Sequence, residues 1–231
     1  MELLTLNTIS KNIKNKNILK DTSFTLNSGD IIGLVGGNGA GKTTLMKVIL
    51  GLSSYQSGTL KSHTSNKSND IGALIKNPGL YSFLTGFENM KLVNEYKDKN
   101  SIQYIVDKLE MNDFIHNKEK TYSLGMKQKL GIALALLNHP KFVILDAPMN
   151  GLDPKAVKNV RETIIDFKNR SVTYLISSHI LSELVKVRDS ILIIDKGAII
   201  KETTMEELKN SDENDLETLL LNIIDQKGEE S

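Results

Sequence analysis

The sequence contains no cysteine among its 231 residues, which excludes a disulfide framework, a zinc–thiolate site and thiol chemistry. It also lacks an apolar run of the roughly 20 residues that a helix needs to cross a bilayer. The N-terminal segment has no basic stretch followed by an apolar core and a small-residue cleavage site, so we expect no secretory signal there. We therefore expect a protein of the reducing cytoplasm that reaches a membrane only through another chain.

An excess of charge of either sign is missing as well. Lysine and arginine together number 29, aspartate and glutamate 28, so the formal net charge is +1. This balance gives no electrostatic reason to expect nucleic acid or an anionic membrane surface as the main partner. We predict that nucleic acid is not a partner.

What the sequence does contain is a series of short apolar runs separated by helical patterns, which indicates an α/β fold with a largely parallel sheet. The strand-like runs are residues 3–6, 24–26, 31–35, 71–75, 142–145, 172–176 and 191–194. The runs before residue 31, and a hairpin predicted to turn at residues 195–197, indicate an antiparallel β piece beside that sheet.

Between residues 85 and 138 the apolar residues recur at helical intervals instead. Turn-forming residues bound this segment at 77–79 and 138–140, so we predict a helical insertion. Close to the C-terminus, Thr203 and Glu206 have the spacing of a helix-capping pair, which predicts a final helix with a frayed end.

The strongest single motif is GGNGAGKTT, which follows a strand and opens a helix with the spacing GxxxxGK[ST]. Glycines let backbone amides turn towards phosphate oxygens, Lys42 reaches the β and γ phosphates, and Thr43 can ligate Mg²⁺. A glycine-rich turn that only connects a strand to a helix would not need this lysine and threonine. The chain therefore binds a nucleoside triphosphate or descends from one that did. The predicted binding residues are Gly36, Asn38, Gly39, Ala40, Gly41, Lys42, Thr43 and Thr44.

A carboxylate follows the apolar run 142–145, in the sequence FVILDAP. This pattern predicts that Asp146 lies at the end of a buried parallel strand, where it can hold Mg²⁺ through water. A strand-end aspartate that caps a turn is the alternative. The next residue is Ala147, at the position where a nucleotide hydrolase is expected to carry a second acid.

The segment YSLGMKQKLGIALALLNHP precedes the strand of Asp146 and resembles the signature segment, usually LSGGQ, of ATP-binding cassette (ABC) ATPases. The resemblance covers essentially the whole chain. It implies a RecA-like P-loop NTPase core with an antiparallel β subdomain and an inserted α-helical signature subdomain. We accordingly expect one ABC ATPase domain over residues 1–231, with the core and β subdomain in residues 1–76 and 141–231 and the helical subdomain in residues 77–140.

In that family two ATP molecules are sandwiched in a head-to-tail dimer, with the signature of one subunit closing over the γ-phosphate of the other. Ser123 and Gly125 match the signature, and an ordinary helix cap is the alternative reading of this segment. The resemblance also implies that Asp153 contacts the partner subunit and that His179 is the switch histidine that senses the γ-phosphate. A lone histidine is otherwise more often a surface or packing residue. Three signature positions depart from the family pattern: Tyr122, Leu124 and Met126.

Three further departures concern the nucleotide. The family's adenine-stacking aromatic aligns with Ile13, which can cover the base without π stacking. The glutamine of the loop that joins the core to the helical lobe aligns with Lys76. In the peptide-immunity relatives that position often carries glutamate, so a lysine reverses the charge near Mg²⁺, and Thr43 and Asp146 remain the metal-binding candidates. The catalytic glutamate that follows Asp146 aligns with Ala147. A positioned general base is worth about 10²- to 10⁴-fold in rate, so ATP binding should survive while hydrolysis should be slow.

Within the family, the chain looks most like the ATPase subunits of lantibiotic-immunity and bacitracin-resistance exporters. That resemblance implies a homodimer with Mg²⁺ and ATP at the interface, acting from the inner face of the cell membrane on separate transmembrane permease subunits. An ATP-dependent dimerisation switch without productive turnover is an alternative that Ala147 motivates. A hydrolysis-deficient form made on purpose is another, since one sequence does not separate a natural alanine from an engineered one.

Overall fold

The computed structural model describes residues 1–63, 70–76, 78–95, 98–178, 189–204 and 207. Its strands are β1 (Glu2–Ile13), β2 (Lys16–Asn27), β3 (Ile31–Val35), β4 (Ser57–Ser62), β5 (Ile71–Leu74), β6 (Phe142–Asp146), β7 (Thr173–Ser178), β8 (Ser190–Asp195) and β9 (Ala198–Thr204). Its α-helices are α1 (Lys42–Ile49), α2 (Gly86–Val93), α3 (Lys99–Lys108), α4 (Leu124–Leu136) and α5 (Pro154–Lys168). Within these ranges, no helix is long and apolar enough to cross a membrane.

The larger sheet has six strands in the order β5-β6-β7-β3-β8-β9. Neighbouring strands from β5 to β8 run parallel. Every residue of β3, β6 and β7 is buried, which explains why these strands read as continuous apolar runs in the sequence. The predicted parallel sheet is therefore present, and the carboxyl ends of β3, β6 and β7 meet at one edge.

The hairpin predicted at residues 195–197 joins β8 to β9 in antiparallel register, with Asp195 opposite Ala198. Its two central residues, Lys196 and Gly197, have φ angles of 43° and 86°. Two positive φ angles in succession are what a two-residue hairpin of the I′ type requires. Gly197 is also necessary for packing, because a Cβ there would lie 2.3 Å from the carbonyl oxygen of Ile18.

A second sheet, of three antiparallel strands in the order β2-β1-β4, forms the predicted antiparallel piece. The apolar runs underestimated the length of its strands. Strands β1 and β2 are each 12 residues long and are joined by a turn at Lys14 and Asn15. The strand β4 was not predicted at all. Its sequence, SGTLKS, is mostly exposed and gives no apolar alternation.

Helices α2, α3 and α4 lie between β5 and β6 in the chain, as the helical pattern predicted, while the exact division at residues 77–140 stays a prediction. The last of them, α4, packs directly on the sheet. A Cβ at Gly72 of β5 would lie 1.8 Å from the carbonyl oxygen of Ala135, and one at Gly131 would lie 2.8 Å from a methyl carbon of Leu74. These two glycines allow the helix and the strand to approach closely.

Of the capping pair predicted at Thr203 and Glu206, Glu206 lies outside the described residues and Thr203 does not begin a helix. Thr203 lies within β9, paired with Ile191, and its side chain is buried. The capping contacts are instead made by Thr204, whose hydroxyl accepts from the Glu207 N–H at 3.3 Å and whose N–H donates to the Glu207 carboxylate at 3.1 Å. The final helix predicted beyond this point lies outside the described residues.

Candidate functional site

The loop between β3 and α1 holds the predicted phosphate motif. Gly41 precedes the helix with a φ of 111°, a conformation that favours glycine, and Gly39 has a φ of 85°. A Cβ at Gly36 would lie 2.1 Å from the carbonyl oxygen of Ile194 in β8. Glycine is therefore required by backbone conformation at one end of the loop and by close packing at the other.

Lys42 folds back over this loop from the first turn of α1. Its Nζ donates to the carbonyl oxygens of Gly36 at 2.5 Å and Gly37 at 2.9 Å. Burial lowers the pKa of the Lys42 ammonium, and the nearby Asp146 carboxylate opposes that shift. The lysine is thus held in place by main-chain contacts, beside the helix N-terminus where anions are favoured.

Asp146 ends β6 and lies between two hydroxyl groups. The Thr43 hydroxyl donates to one carboxylate oxygen at 2.7 Å, and the Ser177 hydroxyl donates to the other at 2.6 Å. Asp146 is 7% exposed and Ser177 is fully buried. Ser177 was not predicted as a site residue, because its position is meaningful only once β7 is known to lie between β6 and β3.

Ala147 has a φ of 50°, which is uncommon for a residue with a side chain. Its N–H donates to the hydroxyl and carbonyl oxygens of Ser177, at 3.0 and 3.2 Å. Its carbonyl oxygen accepts from the Gln128 amide of α4 at 3.2 Å. The backbone at this position is therefore fixed by β7 on one side and by α4, which carries the segment that resembles the family signature, on the other. The methyl group of Ala147 faces an open cavity.

That cavity has a volume of about 650 Å³ and brings most of the predicted residues together. The predicted residues that line it are Asn38, Gly39, Ala40, Gly41, Lys42, Thr43, Thr44, Lys76, Asp146 and Ala147. The lining residues that sequence reasoning missed are Ile18, Lys47, Leu124, Gln128 and Asn150. Helical spacing could have found one of them, since Lys47 follows the predicted Thr43 by four positions on α1.

The predicted binding residues that do not line this cavity are Ile13, Gly36, Ser123, Gly125 and Asp153. Ile13 is at the end of β1, 43% exposed, and does not line the cavity, whereas Ile18 on β2 does. His179 lies outside the described residues. The roles predicted for these two residues stay predictions.

Ser123 and Gly125 stand at the N-terminus of α4, close to the loop that carries Asp153. The Ser123 hydroxyl accepts from the Met126 N–H at 3.2 Å, so it caps the helix. A Cβ at Gly125 would lie 3.0 Å from the carbonyl oxygen of Gly151. Asp153 caps α5 by accepting from the Ala156 N–H at 2.9 Å, and this hydrogen bond lowers the pKa of the Asp153 carboxyl. Both capping side chains also stay exposed to solvent.

The donor set suits a hard cation such as Mg²⁺. A carboxylate and a hydroxyl oxygen lie 2.7 Å apart at Asp146 and Thr43, and Mg²⁺ in nucleotide sites takes one or two carboxylates with phosphates and waters completing its shell. In the described ranges, no group of three or more histidine, cysteine, aspartate or glutamate side chains could hold a metal by itself.

Comparison with known proteins agrees with this geometry. A family model described as ABC transporter matches residues 19–150, more than half of the chain. The chain belongs to the ABC transporter family. It is an ATP-binding subunit of that family, and the predicted fold, a P-loop core with an antiparallel β subdomain and a helical insertion, is confirmed.

Two curated relatives place this ABC subunit more narrowly. The lantibiotic transport ATP-binding protein SrtF of Streptococcus pyogenes is 37% identical over 217 residues, which are 91% of this chain and 95% of SrtF. The bacitracin transport ATP-binding protein BcrA of Enterococcus faecalis is 38% identical over 191 residues, 78% of this chain and 62% of BcrA. The predicted resemblance to both groups is confirmed.

A solved structure shares the fold. The post-hydrolysis dimer of the ATP-binding cassette MJ0796, bound to ADP and Pi, aligns with a TM-score of 0.80 and 20% identity, over 88% of this chain and 99% of that cassette. This likeness shows the fold, over most of this chain and nearly all of MJ0796.

Proposed function

We propose that this chain binds Mg²⁺ and ATP in a bacterial transporter that exports an antimicrobial peptide, and that it hydrolyses ATP slowly. The observation that carries the proposal is the convergence of Lys42, Thr43 and Asp146 in one cavity whose neighbouring residue is Ala147. The relatives SrtF and BcrA are lantibiotic and bacitracin transport proteins, which supports the choice of cargo.

Binding begins at the loop before α1. Its glycines leave the backbone amides free of side-chain obstruction, and the helix N-terminus adds a partial positive charge. Lys42, held by the Gly36 and Gly37 carbonyls, presents its ammonium to the β and γ phosphates. A triphosphate beside the ammonium favours its charged form and so opposes the effect of burial on its pKa.

Thr43 and Asp146 are the residues that would hold Mg²⁺ in this site. The ion, when bound, supplies charge neutralisation at the phosphates. Ser177 keeps the Asp146 carboxylate in one orientation by donating to its second oxygen at 2.6 Å. Ser177 is thus a positioning residue, and Asp146 need not reorganise before the metal binds.

Ala147 limits the chemical step. The attacking water needs a group that accepts its proton, and a methyl group cannot do so. The loss of a positioned base costs about 10²- to 10⁴-fold in rate, which corresponds to about 3–5 kcal/mol of barrier. In a dimer of identical chains both sites carry this defect.

The active assembly proposed is a head-to-tail homodimer. Ser123 and Gly125 at the N-terminus of α4 would approach the γ-phosphate held by the second copy, because a helix N-terminus favours anions. Asp153 would contact that copy, and His179 would sense the γ-phosphate. The dimeric state of MJ0796 with ADP and Pi supports the arrangement.

Separate permease subunits would meet the segment between Lys76 and Glu88. Two aromatic side chains in it, Tyr81 and Phe83, are 54% and 65% exposed and pack edge to face with ring centroids 5.8 Å apart. Exposed aromatic pairs of this kind are enriched in protein interfaces. The subunit would therefore act at the inner face of the membrane through these partners.

The test compares Mg²⁺-ATP turnover by the wild type, Ala147→Glu and Lys42→Ala. At a φ of 50°, the strain in the backbone is no larger with glutamate than with alanine. The exchange therefore measures the effect of the added carboxylate on turnover. We expect Ala147→Glu to raise turnover by about 10²- to 10⁴-fold and Lys42→Ala to abolish it. Equal turnover in the wild type and Ala147→Glu would show that the missing base is not what limits the rate.

Transport is tested in cells that carry the subunit with its membrane partners. Deleting the subunit should lower resistance to the exported peptide, and the wild-type chain should restore it while Lys42→Ala should not. Resistance that is unchanged by the deletion would reject the transport role.

A second function, a nucleotide-dependent dimerisation switch without productive turnover, is favoured by Ala147 alone. It predicts tight dimers on addition of Mg²⁺-ATP, measured by size-exclusion chromatography with light scattering, that persist without phosphate release. Steady turnover that Lys42→Ala abolishes would count against the switch and for the motor.

A further inference from the structure

Lys76 and Ala147 occupy matching positions just after two neighbouring strands. In the parallel pair of β5 and β6, Leu74 lies opposite Leu145, and Lys76 and Ala147 are each the second residue after that pair. Both leave the sheet in the left-handed region, with φ angles of 55° and 50°. Both also line the nucleotide cavity. Lys76 and Ala147 therefore follow neighbouring strands at the same edge of the sheet and line one cavity.

The charges that line the cavity do not balance. Among the described lining residues, Lys42, Lys47 and Lys76 are cationic and Asp146 alone is anionic. Asp146 already accepts hydrogen bonds on both oxygens, from Thr43 and Ser177. Lys42 is bound by main-chain carbonyls of its own loop. The cavity thus carries positive charge that its own side chains do not neutralise.

Lys76 is the cation with the greatest freedom to meet a ligand. Its side chain is exposed, and the structure gives its ammonium no hydrogen bond or ion pair with any described residue. An ammonium has three donors and no acceptor, so it binds phosphate oxygens and cannot coordinate a metal ion. Lysine binds phosphate as a flexible point charge on a four-carbon stem.

We propose that Lys76 donates directly to the terminal phosphate of the bound nucleoside triphosphate and replaces part of the charge that Mg²⁺ supplies. Nucleotide binding by this chain then depends less on Mg²⁺ than it would with a neutral residue at position 76. The inference rests on the proposed ATP site. Ala147 permits the contact, because a glutamate beside Lys76 would compete with phosphate for the ammonium.

The experiment measures ATP and ADP affinity by titration calorimetry, once with excess Mg²⁺ and once with EDTA. The variants are Lys76→Gln, Lys42→Ala, and Lys61→Gln as a matched control on β4, outside the cavity. A hydrogen bond to a charged group is worth about 10- to 100-fold in affinity. We expect Lys76→Gln to weaken ATP binding by about that factor in EDTA but only severalfold with Mg²⁺, and to weaken ADP binding less. Lys61→Gln should leave all four affinities unchanged.

The ratio of the EDTA and Mg²⁺ affinities is the deciding quantity, since a purely structural effect of the substitution would move both. The same ratio in Lys76→Gln and the wild type would overturn the role of Lys76 while leaving ATP binding intact. Failure of the wild type to bind ATP in either buffer would overturn the ATP site and this inference together. Ala147→Glu gives an independent arm: it should weaken ATP binding in EDTA, and Lys76→Gln in that background should have a smaller effect than in the wild type.

Discussion

Thr43 and Asp146 are 103 positions apart in the chain, yet the threonine hydroxyl donates to the aspartate carboxylate at 2.7 Å. The sheet order brings them together, because β6 and β3 are separated only by β7, which contributes Ser177. Parallel strands end at one edge, where the loop after β3 and the end of β6 face the same cavity. The pair defines the place where a hard cation and a phosphate can bind together.

Asp146→Asn should remove the Mg²⁺-dependent part of ATP affinity. The amide oxygen can still accept from one of the two hydroxyls while its NH₂ donates to the oxygen of the other, so the fold should persist, but its neutral oxygen is a weaker ligand for a hard cation. We expect a loss of about tenfold or more with Mg²⁺ and little change in EDTA, measured by calorimetry. Asp113→Asn, on the exposed surface of the helical insertion, is the control. An equal loss in both buffers would mean that the carboxylate does not act through the metal.

Gly72→Ala should destabilise the contact between β5 and the signature helix α4. The added Cβ would lie 1.8 Å from the Ala135 carbonyl oxygen, so the helix must move. Overpacking of this kind costs about 1–3 kcal/mol of unfolding free energy. Urea denaturation measures the change, and Gly79→Ala is a matched control because its Cβ would meet nothing within 4 Å. Equal stabilities of the two variants would contradict the close packing.

Lys127→Met should lower stability by about 1–3 kcal/mol because it leaves the Glu119 carboxylate without its cation. The ion pair is 2.8 Å long, and the two side chains are 36% and 5% exposed. It connects α4 to the turn that leads into Ser123. The control is Lys158→Met, which removes an exposed pair with Glu162 and should change stability by less than about 0.5 kcal/mol. If both substitutions cost the same, burial of Glu119 has no energetic consequence.

Asp153→Asn should make the free energy of unfolding depend less steeply on pH in acid. The Ala156 N–H lowers the pKa of the Asp153 carboxyl, so folding favours the charged form. Its contribution is complete above the unfolded pKa, near 3.9, and is lost as pH falls through the lower folded pKa. Asparagine caps the helix without titrating, and Asp153→Ser is a second non-titrating cap. Urea midpoints measured across this acidic range should fall less steeply for both variants, whereas an unchanged slope would contradict the capping role.

The sequence was most informative where the chain is buried or carries a dense motif. The strands β3, β6 and β7 were visible as apolar runs because both faces of the sheet are covered, and the phosphate loop was visible from its spacing. The strand β4 was invisible because its residues are mostly exposed and polar. Strands in this position are specified by their partner β1, not by their own pattern.

Site residues were missed for a related reason. Ser177 orients Asp146 from another strand, and Ile18 reaches the cavity from the antiparallel sheet. Neither has a local signal, since each acquires its role from a long-range contact. Gln128 is similar, because its amide bonds the Ala147 and Pro148 carbonyls only once α4 lies against the loop.

Position 147 is held entirely through its main chain, by Ser177 on one side and Gln128 on the other. Its side chain contributes nothing to that anchorage, so a substitution at position 147 can leave the contacts with β7 and α4 in place. The slow hydrolysis that we propose for Ala147 would then be a property of one side chain, separable from the architecture that holds it.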